Sequence, residues 1–179
     1  IGFDGCAHVD GVDEMVPVDW NPAHLRNGDL VGFVVLDTGE AYIRVNGKRA
    51  VDLPGTVAVG CPLYGFVDLL GNAKAVSIGL PSGAPKQAQS SSPMPTMETS
   101  PSTEGVRFSS ALTSEFVRVS SDGLSALHNG HPDDVGGVVF TDIAVPERDG
   151  CRVIEVRLME TRRGEEDGLT LGVTTSLPD

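Results

Sequence analysis

The chain is poor in basic residues, in aromatics, in cysteine and in long apolar runs. Its 179 residues carry 13 Lys and Arg against 25 Asp and Glu, a formal charge of −12. A nucleic-acid binder needs a basic face to neutralise phosphates, and docking on an anionic bilayer needs basic clusters, so neither class is expected. The longest apolar runs, such as residues 31–36, fall far short of the ~20 residues that span a bilayer, and no membrane insertion is expected. No start Met and no basic-then-apolar leader precede Ile1, so the chain reads as a segment of something longer. The cysteines are Cys6, Cys61 and Cys151, without Cys-x-x-Cys or Cys…His spacing. They read as reduced thiols acting as small hydrophobes. None of Asn21, Asn27, Asn46, Asn72 and Asn129 lies in an Asn-x-Ser/Thr acceptor. A reducing, cytoplasmic setting is the expectation.

What is present suffices for one packed domain, with 40% hydrophobic and 21% charged residues. The composition shifts sharply once. From Pro81 to Glu104, 14 of 24 residues are Pro, Ser or Thr. Such a stretch buries too little apolar surface to offset its ordering entropy, so residues 81–104 read as a flexible tether with a mean reach of about 27 Å. Two acidic blocks flank it, residues 1–80 and 105–179.

Both blocks have the period of strands. Ala41-Tyr42-Ile43-Arg44-Val45 alternates, with Ile43 and Val45 on one face and Tyr42 and Arg44 on the other. Asn46-Gly47 follows, a strong two-residue turn signal. Residues 31–36 enter the turn Asp37-Thr38-Gly39. Residues 63–70 and 73–78 are joined by Gly71-Asn72, which predicts a further hairpin. In the second block, residues 115–121, 137–141, 151–159 and 169–175 read as strands separated by Asp-Gly turns. No segment shows a persuasive 3.6-residue period. The expected fold is all-β, an antiparallel two-sheet sandwich. Each block alone has an apolar sheet face with nothing to cover it, so the two blocks are expected to pack face to face as one domain. Ile43, Val45, Phe66, Phe140, Val153 and Leu171 are the expected core, and Phe66→Ala is expected to cost about 3–5 kcal/mol.

The first block resembles the second half of a neuralized homology repeat. The resemblance rests on Asp29-Leu30-Val31-Gly32-Phe33-Val34-Val35, Gly39-Glu40-Ala41-Tyr42-Ile43-Arg44-Val45-Asn46-Gly47, Leu63-Tyr64-Gly65-Phe66-Val67-Asp68-Leu69-Leu70-Gly71 and Val76-Ser77-Ile78. The second block resembles the first half of the same repeat, through Arg107-Phe108, Glu115 to Gly123, Gly136 to Thr141, and Leu169 to Thr175 with Pro178. It departs from the pattern at Ser109 and His128, and lacks the usual Trp before the last strand. The halves stand in reversed order, which implies a circular permutation or a segment straddling two tandem repeats. The resemblance implies a SPRY-like sandwich acting as a protein-recognition module, with substrate or adaptor selection in ubiquitin-ligase relatives.

Catalytic, metal and cofactor signals are weak. His128, His131, Asp133 and Asp134 lie close in sequence, but Gly130 and Pro132 mark a turn and the spacing fits no zinc pattern, so a solvated loop is expected. Cys61 has no neighbouring His in sequence, and neither Gly-x-Ser-x-Gly nor a phosphate loop occurs. No catalytic residue, metal or cofactor is expected. The leading reading is a non-catalytic protein-binding module. The alternatives are a carbohydrate-binding sandwich, which the low aromatic content disfavours, and a purely structural scaffold repeat. Tyr42 and Arg44 are the candidate partner-binding residues, since Tyr and Arg are favoured interface anchors. Replacing both is expected to weaken binding and leave the melting temperature nearly unchanged. At the effective concentration a 24-residue tether sets, the halves are expected to close within one chain as a monomer, with a swapped dimer as the alternative.

Overall fold

The computed structural model describes residues 5–8, 14–78, 105–130, 136–162 and 168–178. The tether at 81–104, together with His131, Asp133 and Asp134, lies outside the described residues. In chain order the strands are β1 Cys6–Ala7, β2 Val16–Pro17, β3 Leu30–Leu36, β4 Ala41–Val45, β5 Lys48–Asp52, β6 Tyr64–Asp68, β7 Ala73–Ile78, β8 Phe108–Thr113, β9 Val117–Val119, β10 Ser125–His128, β11 Val138–Thr141, β12 Glu147–Arg148, β13 Cys151–Thr161 and β14 Thr170–Thr174. A short 3-10 turn, Pro22–His24, precedes β3.

Two antiparallel sheets form the sandwich. The larger has the order β5-β4-β3-β13-β7-β10-β9, with β12 paired to β13. The smaller has the order β14-β6-β11-β8, and β1 and β2 pair separately. The expectation that the blocks pack face to face, each as its own layer, does not hold. Strands from the two blocks interleave within both sheets, and β13 inserts between β3 and β7. Its register runs from Cys151↔Leu36 to Arg157↔Leu30 on one side and from Val156↔Ile78 to Thr161↔Ala73 on the other. Backbone pairing thus closes four apolar edges that face-to-face packing would leave open.

Local turn chemistry explains the hairpins. Asn46 and Gly47 have φ of 51° and 79°, the pair of positive values a two-residue turn between right-twisted strands requires. The Asn46 side chain accepts from Leu30 N at 2.9 Å and donates to Asp29 Oδ1 at 2.9 Å, anchoring the turn to the start of β3. Gly71-Asn72 behaves differently. It does not close a hairpin, because β6 belongs to the small sheet and β7 to the large one. The turn signal reports a chain reversal, not whether the flanking strands pair.

The core lies between the sheets. Val31, Phe33, Val35, Ile43, Val76, Ile154, Val156 and Leu158 face Val67, Leu69, Phe108, Val139 and Leu171. Of the expected core, Ile43, Val153 and Leu171 are buried and Val45 is half-buried against the core. Val153 belongs to the opposite face of the large sheet, beside Val34, with which it pairs. Phe66 and Phe140 are not core residues. Val67 and Val139, both fully buried, take the inward positions, and strand alternation turns the two rings outward. The expected loss of 3–5 kcal/mol for Phe66→Ala therefore does not apply.

Candidate functional site

Tyr42 and Arg44 share the outer face of the large sheet, as alternation requires, but they are not a free surface pair. Arg44 is 7% exposed, and its Nε donates to Glu155 Oε1 at 2.9 Å. Its stem lies over Gly32, where a Cβ would stand 2.9 Å from Arg44 Cγ. Tyr42 is half-buried, with the Arg49 guanidinium 4.4 Å above its ring. The expectation that both can be removed without affecting melting is overturned for Arg44. Its truncation would strand a largely buried Glu155 carboxylate. Glu155 reaches it from the second block, on β13, which the local pattern of β4 cannot reveal.

A second outer face escaped the sequence reading. On the small sheet, Phe66 of β6 and Phe140 of β11 are directly opposed, with ring centroids 5.9 Å apart and planes tilted by 46°. Both are half-buried. Gly172 of β14 stands opposite Phe66 on its other side, and a Cβ there would lie 2.6 Å from the Phe66 ring. The glycine thus forms the bed on which the ring lies. Tyr64 and Asp68 share this face on β6, and Thr170 and Thr174 pair with them on β14. Asp68 is the one charged residue within the four strands of the small sheet. Desolvation pushes its carboxyl above the usual range, with the hydrogen bond from Leu70 N at 3.0 Å pulling the other way. In a chain of net charge −12, this face is aromatic and nearly uncharged. The available sequence signal was Gly172 between Leu171 and Val173, an interior strand glycine that marks close approach by a neighbour.

The histidine cluster also differs from expectation. His128 is no solvated loop residue. It ends β10 fully buried, 6.1 Å from the Phe116 ring. Its Nδ1 lies 2.5 Å from Arg162 Nη2. Arginine can only donate, so Nδ1 accepts that hydrogen and is not open to a metal. The other Arg162 terminal nitrogen, Nη1, donates to the carbonyls of Leu69 at 2.9 Å and Gly71 at 2.7 Å. Arg162 thereby ties the second block to the sheet-crossing turn of the first. Among the described residues no group of three or more His, Cys, Asp or Glu is placed to hold a metal ion. Cys6, Cys61 and Cys151 are unbridged and half-buried. Burial pushes the Cys151 thiol up, although Arg44 opposes it, so this sulfur holds its proton.

No curated protein and no solved structure matches the chain. A family model described as Neuralized matches residues 8–79, the span that carries β2 to β7 and the aromatic Phe66. Hairpin, turn and sheet-crossing segment all fall within that match, and over residues 8–79 the chain is similar to the Neuralized family.

Proposed function

We propose that this chain is a non-catalytic protein-recognition module whose docking surface is the outer face of the small sheet. The Neuralized match supports a protein-interaction role. The observation that carries the surface is the half-buried, outward-facing Phe66–Phe140 pair on a nearly uncharged face. Aromatic pairs of this kind are interface anchors, because they bury large area at small entropic cost. In this reading residues 105–179 complete the repeat in permuted order, and the module selects a substrate or adaptor within a larger, multi-repeat scaffold. It works in the cytoplasm, where its three free thiols stay reduced.

Replacing Phe66 and Phe140 together with serine tests the surface. A cross-strand pair of outward rings contributes about 0.2–1 kcal/mol, well below a core phenylalanine. The double variant is expected to fold, and to lose the partners that the wild-type chain captures in proximity labelling. Unchanged capture by a folded double variant would remove the surface from consideration.

The proposal also places closure within one chain. Insertion of β13 between β3 and β7 needs only the tether's reach, at a local concentration of roughly millimolar. Light scattering is expected to give a mass near 18.7 kDa. A concentration-independent dimer would instead mean that β13 is exchanged between copies.

A further inference from the structure

Asp68 breaks the apolar character of the small-sheet face, and strand register fixes its place. Phe66 stands opposite Phe140 and Gly172, and Asp68, two residues on along β6, stands opposite Val138 and Thr170. Alternation puts the carboxylate on the same face as the two rings, ~6.6 Å along the strand from Phe66. Its Oδ1 accepts from Leu70 N at 3.0 Å and lies over Gly137, where a Cβ would meet it. Among the described residues no other hydrogen bond and no ion pair reaches this carboxylate. The residue is half-buried, and desolvation works against its charge more than any neighbour supports it. His128, buried on the large sheet, is the weaker of the two influences that favour the charged form. A half-buried carboxylate with one donor gains from any cation brought to its open side.

Area and charge together select the occupant. The strands of the small sheet are 5, 5, 4 and 6 residues long. At ~4.8 Å between strands and ~3.3 Å per residue they present roughly 14 by 17 Å, about 250 Å². A stable association of two folded proteins needs about 800 Å² a side, so this face alone suits a segment and not a second globular surface. A second copy is disfavoured by charge as well. It would bring one chain of net charge −12 against another, and its own small-sheet strands hold no cation for Asp68. An extended segment repeats its facing side chains every second residue, at ~6.6 Å, which is the spacing from Phe66 to Asp68.

We propose that this face receives a short extended segment of a protein partner in which a Lys or Arg stands two residues from a large apolar side chain, the apolar group resting on Phe66 and Phe140 and the cation on Asp68. The inference rests on the protein-recognition reading of the same face and adds the charge and the spacing of the occupant.

The isotope-labelled full chain is titrated with the capped peptide Gly-Ser-Phe-Ser-Lys-Ser-Gly while the amide resonances of Phe66, Asp68, Phe140 and Gly172 are followed. Shifts at these four positions are expected at millimolar peptide. Gln in place of Lys is expected to weaken binding about tenfold. Asp68→Asn keeps an acceptor for Leu70 N, and is expected to weaken the Lys peptide about tenfold and the Gln peptide less than about twofold. Asp52→Asn removes an equal charge from an exposed residue at the edge of the other sheet, and is expected to change either peptide less than about twofold. The variant with Phe66 and Phe140 replaced by serine is expected to lose both peptides. Equal binding of the Lys and Gln peptides, with both lost in the phenylalanine variant, keeps the aromatic surface and overturns the cation. Equal weakening of the Lys peptide by the Asp52 and Asp68 variants, tighter binding of a Glu peptide, or retention of the Lys peptide by the phenylalanine variant overturns the proposal too. So does the absence of any shift at the four amides. Shifts there that depend on protein concentration without peptide would make a second copy the occupant and overturn it as well. The surface reading is decided separately, by proximity capture with the phenylalanine variant.

Discussion

Arg162→Ala is expected to lower the unfolding free energy by about 3 kcal/mol, as measured by urea denaturation with an unchanged slope. The guanidinium serves the turn that crosses between the sheets, where Asn72 O already accepts from Arg162 N at 2.6 Å. Arg162 Nη1 collects the carbonyls of Leu69 and Gly71, with the Leu70 and Ala73 oxygens at 3.5 and 3.4 Å. Alanine would leave these acceptors in a partly buried site and remove the donor to His128 Nδ1. Each unmet buried group costs about 1–3 kcal/mol. Arg162→Lys keeps a charge but supplies no planar fork, and is expected to recover about half of the loss. A loss below 1 kcal/mol for the alanine variant would mean that solvent serves the turn without help.

Gly137→Ala is expected to cost about 3 kcal/mol, although glycine there has no positive φ to protect. The added Cβ would stand 2.6 Å from Leu70 N and 2.9 Å from Leu69 C, both backbone atoms that cannot rotate away. It would also press apart the hydrogen bond of 3.0 Å from Leu69 N to Gly137 O. Overpacking against backbone lies at the upper end of the usual 1–3 kcal/mol range. Gly47→Ala makes the contrast. Its φ is +79° with nothing within 4 Å of the new Cβ, so only the left-handed backbone resists, at about 1 kcal/mol. Thermal unfolding of the two variants side by side separates the mechanisms. Equal losses would show that the contact at Gly137 relaxes freely.

The strands of the first block were legible because their signals are local. The β3 and β4 pattern, the Asn46-Gly47 turn and the bounds of β4 and β7 follow from alternation and turn chemistry within a few residues. What was not legible depended on partners far along the chain. Phe66 and Val67 are adjacent apolar residues, and alternation alone does not say which one faces inward. The answer comes from Leu171 opposite Val67 and Gly172 opposite Phe66. The Arg44 environment is set by Glu155, 111 residues away. The strands β5, β8 and β10 were missed for a related reason. Lys48–Asp52 is mostly charged and exposed, as befits a sheet edge, and carries little apolar alternation. His128 stands next to Gly130 and Pro132, whose turn signal extends over it, yet it is the last residue of a strand whose partners are β7 and β9.

The position of β13 has a consequence during synthesis. By the time Ile78 has left the ribosome, β3 and β7 both exist as sequence, but the strand that belongs between them is still about 80 residues from completion. At ~5–20 residues per second, that interval lasts roughly 4–16 s. Throughout it, Val31, Phe33 and Val35 on one strand and Val76 and Ile78 on the other are without the neighbour that buries them in the finished sheet. Unpaired apolar edges recruit any available strand, including those of nascent chains on the same messenger. The hazardous species is therefore the half-made polypeptide, and a holding chaperone acting on the nascent chain would guard two edges that one late-arriving strand eventually seals.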